Sequence, residues 1–375
     1  MGLTAVPFLV LLGAVTVGAT VWSALRPFAR RGVGGVLARL ATQVVVSGLV
    51  VLSVAAVLNR QNEWYASWAD LFGSGSPTVR SDQGGAGAQE ALRQAPTGPG
   101  LPTPTQSQLP PLPSPDSRVQ TFTITGAASG LTGKVLVSLP VGYTDPANAG
   151  KTYPVIEAFH GYPGLPDVWM QGVNLVPSLD ALAGQGKIAG VIVVAPQIEF
   201  PAGQDTECVN GKSGQPQVET WLAKDVPDAV AARLRVSRDR TSWATIGFSS
   251  GGWCAAMVTM LHPDVYGAGV VLAGYMAPIF SPGYVPFHAS DPAAKRYQLV
   301  ALASSAPPPV ALWLQTSKAD SLSYSSSTAL LRAARPPLSI QSQVDASAGH
   351  RISVWADAVP TALTWLASTV QGFHP

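Results

Sequence analysis

The sequence predicts an α/β fold, a mostly parallel sheet with helices on both faces, preceded by a two-helix transmembrane hairpin. Three observations carry that expectation. From residue 118 onward, short apolar runs of strand length alternate with longer amphipathic runs, the order that builds a parallel sheet between helical layers. Two uncharged apolar runs occupy the first sixty residues. Gly247-Phe248-Ser249-Ser250-Gly251 lies between a strand-like run, Thr241 to Phe248, and a helix-like run, Gly252 to Leu261.

The N-terminal runs come first. The chain has 375 residues, of which 47% are hydrophobic, and the apolar excess is concentrated at the front. Leu3 to Leu25 and Leu40 to Asn59 carry no charge, and about twenty apolar residues in a helix cross the hydrocarbon core of a bilayer. Buried core helices rarely stay uncharged for that length. No basic stretch precedes the first run, which argues against a cleaved signal peptide. Arg26, Arg30, Arg31 and Arg39 fall between the spans, so this short loop is expected to be cytoplasmic. Both ends then face outward, and residues 118–375 are extracytoplasmic, tied to the cell membrane by residues 1–60. Trp64, Tyr65 and Trp68 follow the second span, where aromatic side chains anchor at the interface. Residues 61–117 are expected to be a juxtamembrane segment and linker. Gly, Ser, Pro, Gln and Thr dominate 73–117, too little apolar surface to offset chain entropy. The Pro-rich end is expected to be extended and to hold residues 118–375 off the membrane surface.

Within 118–375 the strand candidates are Gln120–Thr125, Lys134–Leu139, Pro154–Phe159, Gly190–Ala195, Thr241–Phe248, Gly269–Leu272, Val310–Thr316 and Ser339–Val344. Several are apolar throughout, as strands covered on both faces must be. Helix candidates are Val218–Leu234, Ser250–Leu261, Ser326–Ala334 and Val354–Val370.

A Gly-x-Ser-x-Gly stretch at a strand-to-helix turn is a nucleophile elbow. It exposes the Ser249 hydroxyl above the sheet, and the flanking glycines leave room for close helix–strand packing. The bland reading of the same letters is a Ser/Gly-rich helix start. The general base is sought among five histidines. His374 is in the tail, His262 ends a helix, His288 lies in a Pro-rich loop, and His160 directly follows an apolar strand and reads as a structural hydrogen bonder. His350 stands between the last strand and the last helix, where this architecture places its base. For the acid, Asp320 follows the strand Val310–Thr316 and Asp345 is the alternative, five residues before His350. Asp320 is preferred, because an Asp just past a strand end can hold the far nitrogen of the base. The oxyanion hole needs two preorganised amides. They are assigned to Ser250, after the nucleophile, and Tyr162, in the loop after the strand Pro154–Phe159.

Four segments resemble the "putative esterase" family of α/β-hydrolases, which includes esterase D-like hydrolases, feruloyl and enterochelin esterases and the antigen 85 mycolyltransferases. They are Tyr-Pro-Val-Ile-Glu-Ala-Phe-His-Gly (153–161), Glu-Thr-Trp-Leu-Ala-Lys-Asp-Val-Pro (219–227), Ile-Gly-Phe-Ser-Ser-Gly-Gly (246–252) and Gly-His-Arg-Ile-Ser-Val-Trp (349–355). The resemblance covers 118–375 and implies an α/β-hydrolase fold and an acyl-ester enzyme using Ser249 and His350. The antigen 85 enzymes take a Glu as the acid, and this chain offers Asp320 in its place. No mycolyl substrate follows from the match.

The chain carries a formal net charge of +2, and residues 1–60 hold five Arg and no acid, leaving the remainder at −3. A nucleic-acid partner does not fit that balance. Neither zinc-ligand spacing nor a Gly-rich phosphate loop is present in the sequence, so no metal and no cofactor is expected. Cys208 and Cys254 are the only cysteines, and an oxidising compartment predicts a disulfide between them. The expected activity is that of a serine esterase or acyltransferase on an acyl ester, lipid or cell-envelope glycan included. The competing classes are a non-catalytic envelope scaffold on the same fold and a serine peptidase.

Overall fold

Among the described residues, nine strands form one sheet: β1 Val79–Gly85, β2 Val119–Thr125, β3 Thr132–Ser138, β4 Val155–Phe159, β5 Ile192–Pro196, β6 Trp243–Phe248, β7 Ala268–Leu272, β8 Ala311–Ser317 and β9 Ser339–Asp345. The structure is a computed structural model that describes residues 1–25, 32–73, 79–85, 87–93, 109–281, 283–288 and 290–375, with 79–85 as backbone alone. The strand order is β1-β9-β8-β7-β6-β4-β5-β3-β2. The six central strands β4 to β9 run parallel to their neighbours among themselves, while β1, β2 and β3 are antiparallel additions at the two edges. Strands β4 to β8 are buried at every residue, which is why their sequences are runs rather than alternations. One core cluster gathers Phe159, Val194, Trp221, Trp253 and Leu314. The other gathers Ile156, Trp169, Ile246, Trp313, Trp355 and Leu366. Residues of one strand, Ile156 and Phe159 of β4 among them, thus serve separate layers of helices.

All eight strands expected from the sequence are present within two residues at each end. The ninth corrects the reading of 73–117 as linker throughout. Val79–Gly85 pairs antiparallel with β9, residue for residue from Val79↔Asp345 to Gly85↔Ser339, and Ala88–Arg93 is a short helix with Ala91 and Leu92 buried. Val-Arg-Ser-Asp-Gln-Gly-Gly has no apolar alternation, and it pairs through backbone groups that carry no sequence signal. The remainder of that linker assignment, 74–78 and 94–108, lies outside the described residues. The expected helix Val218–Leu234 is instead a helical stretch with a wide π turn at Trp221–Asp225, ending two residues before Pro227. Proline supplies no amide to the ladder, so the regular bond pattern cannot continue through it.

The chain divides into two compact units: Val79–Ser317, Ser321–Asp345 and Ile352–Pro375 form the sheet unit, and Met1–Thr78 forms the other together with two excursions, Lys318–Asp320 and Ala346–Arg351. In the second unit, α1 Val6–Leu25 and α2 Val33–Asn62 are both long and apolar enough to cross a membrane. They lie antiparallel, with Thr16 Oγ1 2.8 Å from Ser53 Oγ and Arg60 donating to the Thr4 carbonyl. Helix α2 starts seven residues before the uncharged run at Leu40 and takes in Arg39, because a charge ends a hydropathy run but not a helix. Arg26, Arg30 and Arg31 lie outside the described residues.

Candidate active site

The turn from β6 into the helix Ser250–Leu261 is built around Ser249, whose backbone sits at φ 56°, ψ −125°. A non-glycine residue there is strained and persists only where its surroundings over-determine it. Here the Ser249 amide donates to the Leu272 carbonyl at 2.9 Å and its carbonyl accepts from Trp253 at 3.1 Å. Two glycines are required by close approach. A Cβ on Gly247 would collide with the Gly251 carbonyl, and one on Gly251 with the carbonyls of Phe159 and His160. These contacts bring the loop after β4 against the elbow, and a Cβ on Gly161 would stand 3.2 Å from the Ser249 Cβ. The Ser250 amide opens the helix, where backbone N–H groups lack intrahelical partners and favour negative charge.

The loop carrying Tyr162 is held by a residue the sequence did not single out. Glu199 accepts from the Gly164 amide at 3.1 Å and from the Gly203 amide at 2.8 Å, and the Tyr162 hydroxyl donates to the Gly203 carbonyl at 3.1 Å. His160 is buried, and its Nδ1–H donates to the Gly161 carbonyl at 2.9 Å. Burial pushes its imidazole below the ordinary value, so a neutral ring serves the loop as a structural hydrogen bonder. His262, read as a helix-end residue, lies 2.8 Å from the buried Glu219 carboxylate.

Asp320 and His350 meet within their own unit. His350 Nδ1 lies 2.7 Å from Asp320 Oδ2, and the Asp320 side chain is 5% exposed against 24% for His350. A carboxylate only accepts, so Nδ1 carries the proton and Nε2 becomes the acceptor nitrogen of the ring. Asp345, the other candidate acid, is engaged elsewhere. Gln315 donates to it at 2.7 Å and Gln343 at 3.3 Å, and burial pushes its carboxyl up.

Cys208 and Cys254 are joined by a disulfide with their Cα atoms 5.7 Å apart. It ties the loop after β5 to the elbow helix five residues past Ser249. Glu207, next to the bridge, is a second residue the sequence did not flag. It is 2% exposed, accepts from the Tyr275 hydroxyl at 2.6 Å, and is pushed up to about 8 by burial and by nearby Asp205. Its backbone carbonyl accepts from Trp253 Nε1 at 2.8 Å. A buried acid has no local sequence signature, since Glu is a surface residue by default.

Residues 127–365 match the family model described as "Putative esterase". A curated relative, an uncharacterized protein of Corynebacterium glutamicum, is 29% identical over 140 residues, 37% of this chain and 32% of the relative. The match thus spans about a third of that relative's length. Among solved structures, an S-formylglutathione hydrolase from Agrobacterium tumefaciens superposes with a TM-score of 0.56 at 15% identity, covering 67% of this chain and 95% of that one. A ferulic acid esterase gives 0.54 at 20% identity over 67% and 97%. A fluorophosphonate-binding serine hydrolase of Staphylococcus aureus gives 0.51 at 14% identity over 66% and 97%. At these identities the likeness is one of fold.

Proposed function

The chain belongs to the "Putative esterase" family, and from that premise we propose that it is a membrane-anchored, extracytoplasmic serine esterase or acyltransferase with Ser249, His350 and Asp320 as its triad. The backbone of Ser249, held at φ 56° between a parallel strand and a helix N-terminus, carries the proposal. It is the strained elbow that presents a nucleophile. Support for the rest comes from chain order. The Tyr162 loop, Ser249, Asp320 and His350 follow β4, β6, β8 and β9, all parallel strands, and α/β sheets bind ligands beyond the carboxyl ends of such strands.

In this reading His350 Nε2 takes the proton of Ser249 as its oxygen attacks the ester carbonyl. Asp320 holds the ring tautomer and stabilises the imidazolium. The amides of Tyr162 and Ser250 receive the developing oxyanion. His350 then protonates the leaving alcohol, and an acyl-enzyme remains on Ser249. Its acyl group passes to water or to a hydroxyl of a lipid or envelope glycan, by the same residues in reverse order. The two spans hold this chemistry at the membrane, with the arginines of 26–39 on the cytoplasmic side.

The test is labelling of the full chain, in membranes, by a fluorophosphonate probe, with Ser249→Ala alongside. Labelling of the parent alone, with turnover of a short-chain chromogenic ester, is expected. Labelling that survives Ser249→Ala places the nucleophile elsewhere. No labelling and no turnover leaves a binding scaffold on a hydrolase fold, and turnover of peptides but not esters makes it a peptidase.

A further inference from the structure

Residues 63–72 leave α2 and fold directly onto the loop that carries His350. Asn59, in the last turns of α2, fixes the segment. Its side-chain amide donates to the Tyr65 carbonyl at 3.0 Å and its Oδ1 accepts from the Tyr65 amide at 2.8 Å. Ser67 Oγ caps the short helix Trp68–Leu71 by accepting from the Asp70 amide at 3.1 Å. Asp70 in turn accepts from the Ala66 amide at 2.9 Å. Trp68 reaches the N-terminal span, donating to the Met1 carbonyl and packing edge-on against Phe8 with ring centres 5.2 Å apart.

Three consecutive residues around the histidine rest on this platform. The His350 amide donates to the Glu63 carbonyl at 2.8 Å. Gly349 lies so close to Trp64 that a Cβ would collide with the Trp64 carbonyl. Arg351 donates to the Trp64 carbonyl at 3.0 Å and to both Asp70 oxygens at 2.8 and 2.7 Å, and its guanidinium stacks 4.6 Å above the Tyr65 ring. The Asp70 side chain is 8% exposed and that of Arg351 22%. A two-point, largely desolvated pair of this kind fixes orientation in a way an exposed ion pair does not. Glu63 is the residue that ends the second span. The loop 349–351 is thus hydrogen-bonded to the end of α2.

We propose that the juxtamembrane segment 63–72 positions the general base, with Asp70 and Arg351 as positioning residues, so that catalytic competence depends on the membrane hairpin. The proposal rests on the triad reading. Gripped at 349, 350 and 351, the His350 backbone has one placement. Released, the ring loses its alignment although Ser249 and Asp320 are untouched.

The test measures kcat and KM of the full chain in phosphatidylcholine nanodiscs on a short-chain chromogenic ester, with the thermal midpoint beside them. Asp70→Ala and Arg351→Ala are each expected to lower kcat about ten- to a hundredfold with KM and midpoint little changed, because misplacement of about 1 Å has that cost. The exchange Asp70→Arg with Arg351→Asp is expected to recover most of the loss, and Arg351→Lys only part, since an ammonium cannot make the forked contact. Arg118→Ala, which breaks an equally forked pair with Asp180, serves as the control and leaves kcat unchanged. Gly349→Ala is expected to lower kcat by pushing the loop off Trp64. Retention of kcat within about twofold in Asp70→Ala and Arg351→Ala overturns the proposal. So does a loss that tracks the thermal midpoint and is not recovered by the exchange. Activity surviving in Ser249→Ala refutes the triad instead, a separate result.

Discussion

Three carboxyl groups behave differently because of what surrounds each. Asp320 faces the His350 ring at 2.7 Å, whereas Asp345 is occupied by two glutamine amides. Asp320→Asn is therefore expected to lower kcat on the order of 10⁴-fold, since the amide favours the wrong histidine tautomer. Asp345→Asn is expected to stay within about tenfold, as a change that only perturbs the end of β9. Steady-state kinetics on one chromogenic ester separates them, and the reverse ranking reassigns the acid. The third group is Glu207, whose burial raises it from the ordinary 4.5 to about 8. Folded protein keeps a proton there that unfolded chain releases between those values. Stability contributed by this group thus falls as pH rises from about 4.5 to about 8 and is level beyond. Glu207→Gln is expected to raise the thermal midpoint relative to the parent at about pH 9 and to do so much less at about pH 5. An equal difference at both values excludes the titration.

At the scale of elements, the elbow helix is fixed from both sides. Gly251 admits the backbone of Phe159 and His160, and Cys254 is bonded to Cys208 in the loop after β5. Glu207 and Cys208 both hold positive φ, 51° and 54°, so the bridge retains a loop whose backbone does not favour its own shape. Replacing both cysteines by serine is expected to cost about 2–5 kcal/mol in unfolding free energy. Amide exchange should accelerate first in 197–217 and in the first turns of Ser250–Leu261, read by hydrogen-exchange mass spectrometry. Uniform acceleration across the sheet would show that the bridge acts on the unfolded chain alone.

For the whole molecule, the proposed anchoring raises the question of which side of a membrane the sheet unit occupies. In the proposed topology the arginines of 26–39 are cytoplasmic and both ends of the hairpin external. Protease added to intact spheroplasts is expected to cut in the Pro/Gly-rich 94–108 and yield a fragment recognised by an antibody to the C-terminus. Protection until the cells are lysed would reverse the topology. The same cut separates β1 from the other eight strands, and the Asp70–Arg351 contact joins Met1–Thr78 to a loop after β9. The nicked halves are therefore expected to co-purify in mild detergent.

Local pattern alone determined a large part of this protein. Strands β4 to β8 were legible because parallel strands buried on both faces must be apolar runs, and the two helices long and apolar enough to cross a membrane because an uncharged stretch of about twenty residues stands out from any other run. The strained turn at Ser249 was legible because strand, glycines, serine and helix are contiguous, and the place of His350 because the last strand and the last helix on either side of it were legible too. Tertiary structure decided what depends on distance between residues remote in sequence. Strand β1 forms from a polar stretch because backbone groups pair without regard to side chains. Asp320 rather than Asp345 lies beside His350 because thirty residues of chain return one loop to the other. Glu199 and Glu207 acquire their duties from burial, which composition does not report. The hold of residues 63–70 on 349–351 joins segments some 280 residues apart, and no local rule links the end of a membrane helix to a histidine loop so far along the chain.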